Sequence, residues 1–352
     1  MSTTRPLSRD AVAEVDVSGQ FDEVLALPEH LRDAFWRVES ANLRPHDSPG
    51  GLIIAGVGGA AAGGALARAA LADVASRPIA LARDYALPPW TTPDTTVLCA
   101  SYGGNTEETL AAYEAAQALG ANTIVVTTGG KLAEQARADG VPVVPLPGGF
   151  ESRAAIGYFL VVALEVARLC GTGESMRAEV DVAAEHAARL AADWGPEASE
   201  ESLAKTLARG LHGTIPQIAG AAITAPVAYR WKTQINENAK APAFYARLPE
   251  LDHNELVGWD GASDFGVFSA VFLDDSDLHP RVRQRIELTR GLIASRGGAT
   301  FRIESTGQTR LQRLISLILL GDLVSLYLAT LRGVDPGPAA AAESLRSALS
   351  GG

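Results

Sequence analysis

Cysteine is nearly absent from this 352-residue chain, which holds two residues of that type, Cys99 and Cys170. Two cysteines are too few for a disulfide framework or for a metal cage built from thiolates. The six histidines show no HxxH or HExxH spacing, so a metal site is not expected either. The sequence therefore predicts a protein that works without a metal or another cofactor.

Positive charge is also scarce. The chain has 30 lysines and arginines against 41 aspartates and glutamates, which gives a formal net charge of −11. This balance argues against nucleic acid or an anionic membrane surface as a partner. An anionic ligand would have to be bound by a local site, because the overall field of the protein repels it.

Long uninterrupted apolar runs are missing as well. The most apolar stretch, 314–331, follows Gln312 and Arg313 and is interrupted by Asp322. Such a stretch is typical of a buried core helix rather than a membrane span. The first ten residues contain no apolar segment of the kind found in secretory signals. We therefore expect a cytoplasmic protein.

What the sequence does contain is a series of short apolar segments that alternate with helical patterns. Five candidate strands lie in 52–144, and three more lie in 215–303. Continuous apolar strands separated by helices indicate parallel sheets covered on both faces. Because Ile218-Ala219-Gly220 echoes Ile54-Ala55-Gly56, we expect an α/β protein with two doubly wound parallel-sheet domains in tandem.

The expected domain boundaries follow from these patterns. Residues 1–49 are an N-terminal helical extension, 50–175 the first domain, 176–207 a linking helix, and 208–352 the second domain with C-terminal helices. In doubly wound sheets, ligands bind beyond the carboxyl ends of the strands. A functional site is therefore expected in the turns that follow strands.

A glycine-rich turn at 56–64 follows the first strand and opens a helix. Gly58 and Gly59 allow the backbone to approach an anion at the helix N-terminus. The turn also satisfies the dinucleotide pattern GxGxxA from Gly56, with Asp84 as the candidate ribose-binding acid. Ligand contact and plain packing of a small-residue helix on the sheet stay open, whereas an NAD-dependent oxidoreductase is less favoured than both.

A second turn, Ser-Tyr-Gly-Gly-Asn-Thr at 101–106, comes directly after another strand. The hydroxyls of Ser101 and Thr106, the backbone at Gly103 and the side chain of Asn105 can converge on one anion at the start of the next helix. The alternative is an ordinary strand–turn–helix cap without a ligand. For this turn taken alone, the cap is the favoured interpretation.

Three charged residues are candidates for chemistry. Arg153 stands at the start of an apolar helix, where it could hold an oxyanion or a developing enediolate charge. Glu237 lies among amides and could act as a general base, while His253 has acidic neighbours and could act as a general acid. Solvated or capping roles are the alternative for each residue.

Together these segments resemble one family, the bifunctional phosphoglucose/phosphomannose isomerases, which carry two sugar-isomerase (SIS) domains. The resemblance extends from about residue 50 to the C-terminus, and the motifs occur in the same order. They are Gly56–Gly59, Ser101–Thr109, Arg153–Tyr158, Asn236–Lys240, His253–Gly258 and Gly333–Pro336.

The resemblance implies two flavodoxin-like SIS domains and a metal-free reaction that needs no cofactor. This reaction interconverts glucose 6-phosphate or mannose 6-phosphate with fructose 6-phosphate through an enediol. By the same resemblance, Glu237 moves a proton between C2 and C1, and Arg153 stabilises the enediolate. His253 assists ring opening in the site of a neighbouring subunit, which implies a homodimer.

The resemblance also implies that the phosphate of the hexose is bound by the two turns. The residues involved are Gly58, Gly59, Ser101, Gly103, Asn105 and Thr106. The chain departs from the family pattern at several of the relevant positions. Ala60 and Gly103 stand where the family usually has serines, Ser152 replaces a proline, and Arg346 takes the place of a lysine that helps ring opening. These departures leave a rival hypothesis, a degenerate sugar-phosphate-binding protein that acts as a sensor or an accessory.

Overall fold

A computed structural model describes residues 5–350, apart from the side chains of residues 346, 347 and 350. Two parallel sheets form its framework. The first sheet contains β1 (Leu52–Ala55), β2 (Ile79–Ala82), β3 (Thr96–Ala100), β4 (Asn122–Thr127) and β5 (Val143–Pro145). The second contains β6 (Ile215–Gly220), β7 (Phe244–Arg247), β8 (Phe268–Asp274) and β9 (Ala299–Glu304). The predicted α/β class with two parallel sheets is confirmed.

The described residues also form α-helices between and around these strands. In chain order they are α1 (Arg9–Ala13), α2 (Gln20–Leu25), α3 (Leu27–Ser40), α4 (Gly58–Ala70), α5 (Glu107–Leu119), α6 (Gly130–Ala138), α7 (Ile156–Leu169), α8 (Arg177–Trp194), α9 (Leu203–Leu211), α10 (Ala225–Ala239), α11 (Pro280–Ser295), α12 (Arg310–Arg332) and α13 (Ala340–Ser350). Helix α5 begins directly after the turn 101–106, as expected. Glu107 and Glu108 complement the helix dipole in its first turn, and Gly120 ends it with a left-handed φ of 68°.

The chain divides into two compact units. The first-sheet unit comprises Ala26–Ala188 and Thr306–Ser316, and the second-sheet unit comprises Met1–Leu25, Arg189–Ser305 and Leu317–Gly352. This division groups residues by spatial proximity, so one unit includes segments that are far apart in the chain. The domain boundaries expected from the strand pattern stay a prediction.

In the first-sheet unit, the strand order is β2-β1-β3-β4-β5, and every pairing is parallel. The chain runs from β1 outward to β2 and then returns to place β3 on the other side of β1. The order therefore reverses between β1 and β3, which is the point where doubly wound sheets bind ligands. The glycine-rich turn and the turn 101–106 follow these two strands.

The second-sheet unit repeats this plan in the order β7-β6-β8-β9, with a reversal between β6 and β8. Strand β7 was not expected from the sequence. It has four residues at the edge of the sheet, and only Ala246 among them is buried. A short edge strand of this kind has no apolar run that could have revealed it.

Helix α12 contains the most apolar stretch of the chain. It is long and apolar enough to cross a membrane, but 94% of its most apolar window is buried inside the protein. Its residues 317–332 pack within the second-sheet unit, where Tyr327 contacts Phe21 with ring centroids 5.0 Å apart and donates a hydrogen bond to the Trp194 carbonyl at 2.8 Å. These contacts are those of a core helix.

Both cysteines are buried thiols, and burial raises the pKa of Cys99 to about 12. Only the thiolate reacts readily with alkylating reagents. We therefore expect iodoacetamide to leave both cysteines of the folded protein unlabelled in mildly alkaline buffer, as followed by mass spectrometry. Unfolding in guanidinium should give two labels per chain, one for each cysteine. Rapid labelling of Cys99 in the folded protein would contradict its position in β3.

Candidate active site

The turn after β3 brings two hydroxyl groups together. Ser101 is buried, its Oγ lies 2.8 Å from Oγ1 of Thr106, and it accepts a hydrogen bond from the Gly104 amide at 3.1 Å. Thr106 is the N-cap residue of α5, but its hydroxyl points to Ser101. Both hydroxyls therefore lie at the N-terminus of a 13-residue helix, where the amides and the dipole favour an anion.

The backbone of this turn packs directly on the turn that follows β4. Gly104 has a φ of +70° and Gly130 a φ of +69°. A Cβ atom on Gly104 would overlap the carbonyl oxygen of Gly129, so only glycine fits there. Asn105 joins the two turns, because its Oδ1 accepts a hydrogen bond from the Lys131 amide at 3.0 Å. The Asn105 oxygen thus holds the turn in place.

Gly103 differs from its neighbour. It is exposed, and a Cβ atom there would have no heavy atom within 4 Å among the described residues. The turn could therefore accept a serine at this position without a steric clash, so glycine is not required there.

The glycine-rich turn packs closely on neighbouring segments, as one of the two alternatives predicted, and contact with a ligand there stays a prediction. Gly58 is exposed, with a φ of +56°, at the start of α4. A Cβ atom on Gly59 would lie 2.6 Å from the carbonyl oxygen of Ser152, so the chain before Arg153 passes directly over this turn. Further along α4, a Cβ atom on Gly63 would overlap the Phe159 side chain of α7. The first glycines thus shape the turn, and the later ones pack helices.

Arg153 lies in the segment that crosses the glycine-rich turn. Its side chain is buried, and Nη1 lies 3.2 Å from Oε2 of Glu151. Helix α7 begins at Ile156, so the expectation that Arg153 stands at the start of this helix was wrong. Two successive turns, closed by the Ala154 and Ala155 amides, precede the helix. They fix Arg153 on an irregular segment next to the turn after β1.

Tyr102 and His30 hold this segment, and sequence analysis missed both. The Tyr102 hydroxyl donates to the Pro147 carbonyl at 3.1 Å and accepts from the Phe150 amide at 3.3 Å. The ring of Phe150 stacks on His30 with centroids 5.2 Å apart. His30 also bonds the Ala154 backbone, and burial lowers the pKa of its imidazole. Tyr102 thereby ties the turn after β3 to the loop that leads to Arg153.

In the second-sheet unit, Glu237 stands near the end of α10 with an exposed side chain. The next residue, Asn238, is buried and donates a hydrogen bond to Ser325 Oγ at 2.8 Å. Lys240 ends the helix with a φ of +51°, and its Nζ donates to the Pro336 carbonyl at 2.9 Å. The sequence motifs Asn236–Lys240 and Gly333–Pro336 are therefore in direct contact.

His253 ends a short 3-10 helix and is also exposed. The preceding residue, Asp252, is fixed by Arg285 Nη1 at 2.9 Å and by Thr289 Oγ1 at 2.8 Å, both from α11. Beyond it, burial and a neighbouring acid raise the pKa of Glu255. The loop is thus anchored, and it presents His253 at the surface of the chain. Arg346 belongs to α13, and its side chain lies outside the described residues.

The second sheet does not reproduce the anion site at its own point of reversal. The turn after β6 is closed by Thr224, whose Oγ1 accepts from the Ala221 amide at 2.9 Å and donates to the Leu273 carbonyl at 3.0 Å. At the end of β8 stands the buried carboxylate of Asp274, which accepts from Arg302 Nη2 at 2.6 Å. An ion pair between a carboxylate and a guanidinium therefore fills the corresponding edge of this sheet.

The chain is similar to known proteins over most of its length. A model of the bacterial phospho-glucose isomerase C-terminal SIS domain matches residues 200–349. The bifunctional phosphoglucose/phosphomannose isomerase of Caldicellulosiruptor bescii is 39% identical over 334 residues, which cover 94% of this chain and 98% of the relative. The protein of the same name from Aquifex aeolicus is 33% identical over 333 residues, with coverage of 93% and 98%.

Among solved structures, a glucose-6-phosphate isomerase like protein from Thermus thermophilus aligns with a TM-score of 0.65. It shares 21% of aligned residues and covers 97% of this chain and 99% of its own, which shows a common fold. Fold and turns together define an α/β protein of the SIS phosphosugar class. More particularly, the chain belongs to the bifunctional phosphoglucose/phosphomannose isomerase family.

The two adjacent glycines of the turn after β3 make a matched pair for testing its geometry. We expect Gly104→Ala to lower the free energy of unfolding by more than about 1 kcal/mol, because left-handed strain adds to a backbone overlap. Gly103→Ala should change it by less than about 0.5 kcal/mol, as at an open surface position. Urea unfolding of both variants measures the difference. Equal losses would show that the close approach to Gly129 is wrong.

Proposed function

We propose that this protein is an aldose–ketose isomerase that interconverts glucose 6-phosphate or mannose 6-phosphate with fructose 6-phosphate. The observation that carries the proposal is the turn 101–106, with two hydroxyls at a helix N-terminus where the strand order of the first sheet reverses. Its relatives of nearly equal length are named as isomerases of these sugars. An enzyme is therefore favoured over a sensor.

The turns after β1 and β3 bind the phosphate of the substrate. The Ser101 and Thr106 hydroxyls and the amides near Gly58, Gly59 and Gly103 bind its oxygens. Asn105 holds the turn after β3 against the turn after β4, because its side-chain oxygen accepts a hydrogen bond from the Lys131 amide. Neutral donors and a helix dipole bind a dianion in a protein whose net charge of −11 would otherwise repel it.

The proton transfer is assigned to Glu237. In the open-chain aldose, the Glu237 carboxylate takes the proton from C2, and the C–H electrons form the C1=C2 bond of an enediol while the C1 oxygen gains a proton. Return of the proton to C1, with loss of the proton from the C2 hydroxyl, gives the ketose. Glucose and mannose 6-phosphates differ only at C2, so both give the same enediol. Arg153 stabilises the enediolate charge.

Ring opening is assigned to His253 and Arg346. The exposed position of His253 on an anchored loop supports its use in the site of a second subunit, so we expect a homodimer. Arginine does not give up its proton, so at position 346 it would orient the ring oxygen or balance charge and not transfer a proton. We place the enzyme in the cytoplasm, with a hexose 6-phosphate as its ligand and no cofactor.

The rival hypothesis is a sugar-phosphate sensor without turnover. It rests on Ala60, Gly103 and Arg346, each of which departs from the family pattern. The loss of a hydroxyl at a phosphate site weakens binding, but it removes neither the base nor the Arg153 guanidinium. A dinucleotide-dependent oxidoreductase would rest on the glycine-rich turn alone, and the Ser152 backbone passes directly over that turn.

Replacement of Glu237 by glutamine tests the proposal directly. The change keeps the size of the side chain but removes the base, so kcat should fall roughly 10²–10⁴-fold. Formation of fructose 6-phosphate from each aldose phosphate is followed by NMR. Glu201→Gln is the matched control, since Glu201 is an exposed carboxylate in the same unit, and it should keep full activity.

The outcomes of this assay separate the hypotheses. Turnover that survives Glu237→Gln would show that another group is the base. Saturable binding of glucose 6-phosphate by the unaltered protein without turnover would favour the sensor. Neither binding nor turnover would mean that the substrate belongs to another class of sugar phosphate.

The open position of Gly103 allows a gain-of-function test. Gly103→Ser should lower KM for glucose 6-phosphate by roughly tenfold, because a hydrogen bond from the new hydroxyl to a phosphate oxygen contributes about 1.4 kcal/mol. The phosphate is bound equally in the ground and transition states, so kcat should stay unchanged. Gly103→Ala is the control without a hydroxyl. An unchanged KM for the serine variant would place the phosphate away from this turn.

A further inference from the structure

One face of helix α10 is buried over its whole length and carries polar side chains. Five residues on this face recur at intervals of three and four along the helix, and each is at most 2% exposed. They are Arg230, Trp231, Gln234, Ile235 and Asn238. Residues with this spacing share one side of a helix. Buried polar groups need hydrogen-bond partners, and helix α12 supplies them for Arg230, Trp231 and Asn238.

Three sets of hydrogen bonds join α10 to α12 within the second-sheet unit, and each is called an anchor below. Trp231 Nε1 donates to the Leu317 carbonyl at 2.7 Å. Arg230 makes two bonds to Asp322, Nε to Oδ1 at 3.0 Å and Nη2 to Oδ2 at 2.6 Å. The final anchor, from Asn238 to Ser325, lies eight residues further along α10 than Arg230, which is roughly 12 Å of helix.

The Asn238 anchor is continuous with the ion pair. Ser325 Oγ accepts the bond from Asn238 at 2.8 Å and donates its own hydrogen to the Asp322 carbonyl at 2.6 Å. A chain of bonds thus runs from the last turn of α10 to the residue that pairs with Arg230. Buried networks of this kind rigidify the elements that they join.

Glu237 is the immediate neighbour of this last anchor. Successive residues of an α-helix are turned by about 100°, so the rotation that buries Asn238 also directs Glu237 away from α12. The helix ends two residues after Glu237, at Ala239. Terminal turns open most easily, so the direction of Glu237 depends on what holds this turn.

We propose that Asn238 is a positioning residue for Glu237 and that Ser325 is its partner in this role. Their hydrogen bond fixes the rotation of the last turn of α10 and with it the direction of the carboxylate. The inference rests on the proposed role of Glu237 as the base. A base displaced by about 1 Å loses roughly 100-fold in rate, whereas binding of the substrate elsewhere is unaffected.

Asn238→Ala and Ser325→Ala, alone and combined, test this proposal. We expect each to lower kcat roughly 10- to 100-fold and to leave KM for glucose 6-phosphate within about twofold. Since both remove the same bond, the double variant should be little worse than the more impaired single variant. Ser325→Ala keeps Asn238 intact, so it provides the test if Asn238→Ala does not fold.

Tyr327→Phe is the matched control. It removes a buried hydrogen bond from the same helix, the one to the Trp194 carbonyl at 2.8 Å. It should cost stability in urea but leave kcat unchanged. A loss of kcat as large as that of Asn238→Ala would overturn the proposal, because general loosening of α12 would then explain both. Folded Asn238→Ala and Ser325→Ala variants with unchanged kcat would overturn it as well.

A second readout does not depend on turnover. Hydrogen–deuterium exchange of peptides covering residues 236–240 should be faster in Asn238→Ala and Ser325→Ala than in Tyr327→Phe. If the unaltered protein has no isomerase activity, the proposed function fails, yet exchange still decides whether the bond holds this turn. Equal exchange in all three variants would show that it does not.

Discussion

The close approach of two backbone turns, where Gly104 meets Gly129, is the constraint on which the first-sheet site depends. It brings the backbones of the turns after β3 and β4 into contact, and hydrogen bonds from the Thr127 hydroxyl to the Tyr102 carbonyl and from the Lys131 amide to Asn105 hold the two turns together. With the turn fixed in this way, Ser101 and Thr106 stay side by side at the start of α5. The site is therefore preorganised by backbone packing. Binding of an anion would not carry the entropy cost of ordering the turn.

The second sheet has the same pattern of strand reversal as the first, but different residues lie at its edge. Where the first sheet leaves helix amides open, the second closes its turn with Thr224 and fills the edge with Asp274 and its arginine partner. What it offers instead are exposed groups on anchored backbone, Glu237 on α10 and His253 on a loop tied to α11. The two sheets share a topology, but the first carries two hydroxyls at a helix N-terminus and the second an ion pair at the corresponding edge.

The sequence predicted most of the buried framework, because strands such as β1, β3 and β6 are largely buried and therefore consist of apolar runs. It failed where local pattern gives no signal. Strand β7 is short, lies at an edge and is largely exposed, and the start of α7 is delayed by two turns that propensity does not foresee. In the site, motif order pointed to the segments that carry Ser101 and Arg153. Tyr102 and His30 could not be found, because their roles arise only when Phe150 and the 147–154 loop fold against them.

The departures from the family pattern acquire a physical meaning from this geometry. A Cβ atom on Gly103 would meet no heavy atom within 4 Å among the described residues, so the fold of the turn does not depend on glycine there. Gly104, one residue on, is required by the contact with the Gly129 carbonyl and by its left-handed φ. The two neighbouring glycines therefore have different physical reasons: a side chain is sterically possible where the turn faces solvent and impossible where it faces the next turn. A departure from the family pattern at position 103 therefore leaves the scaffold around Ser101 and Thr106 unchanged.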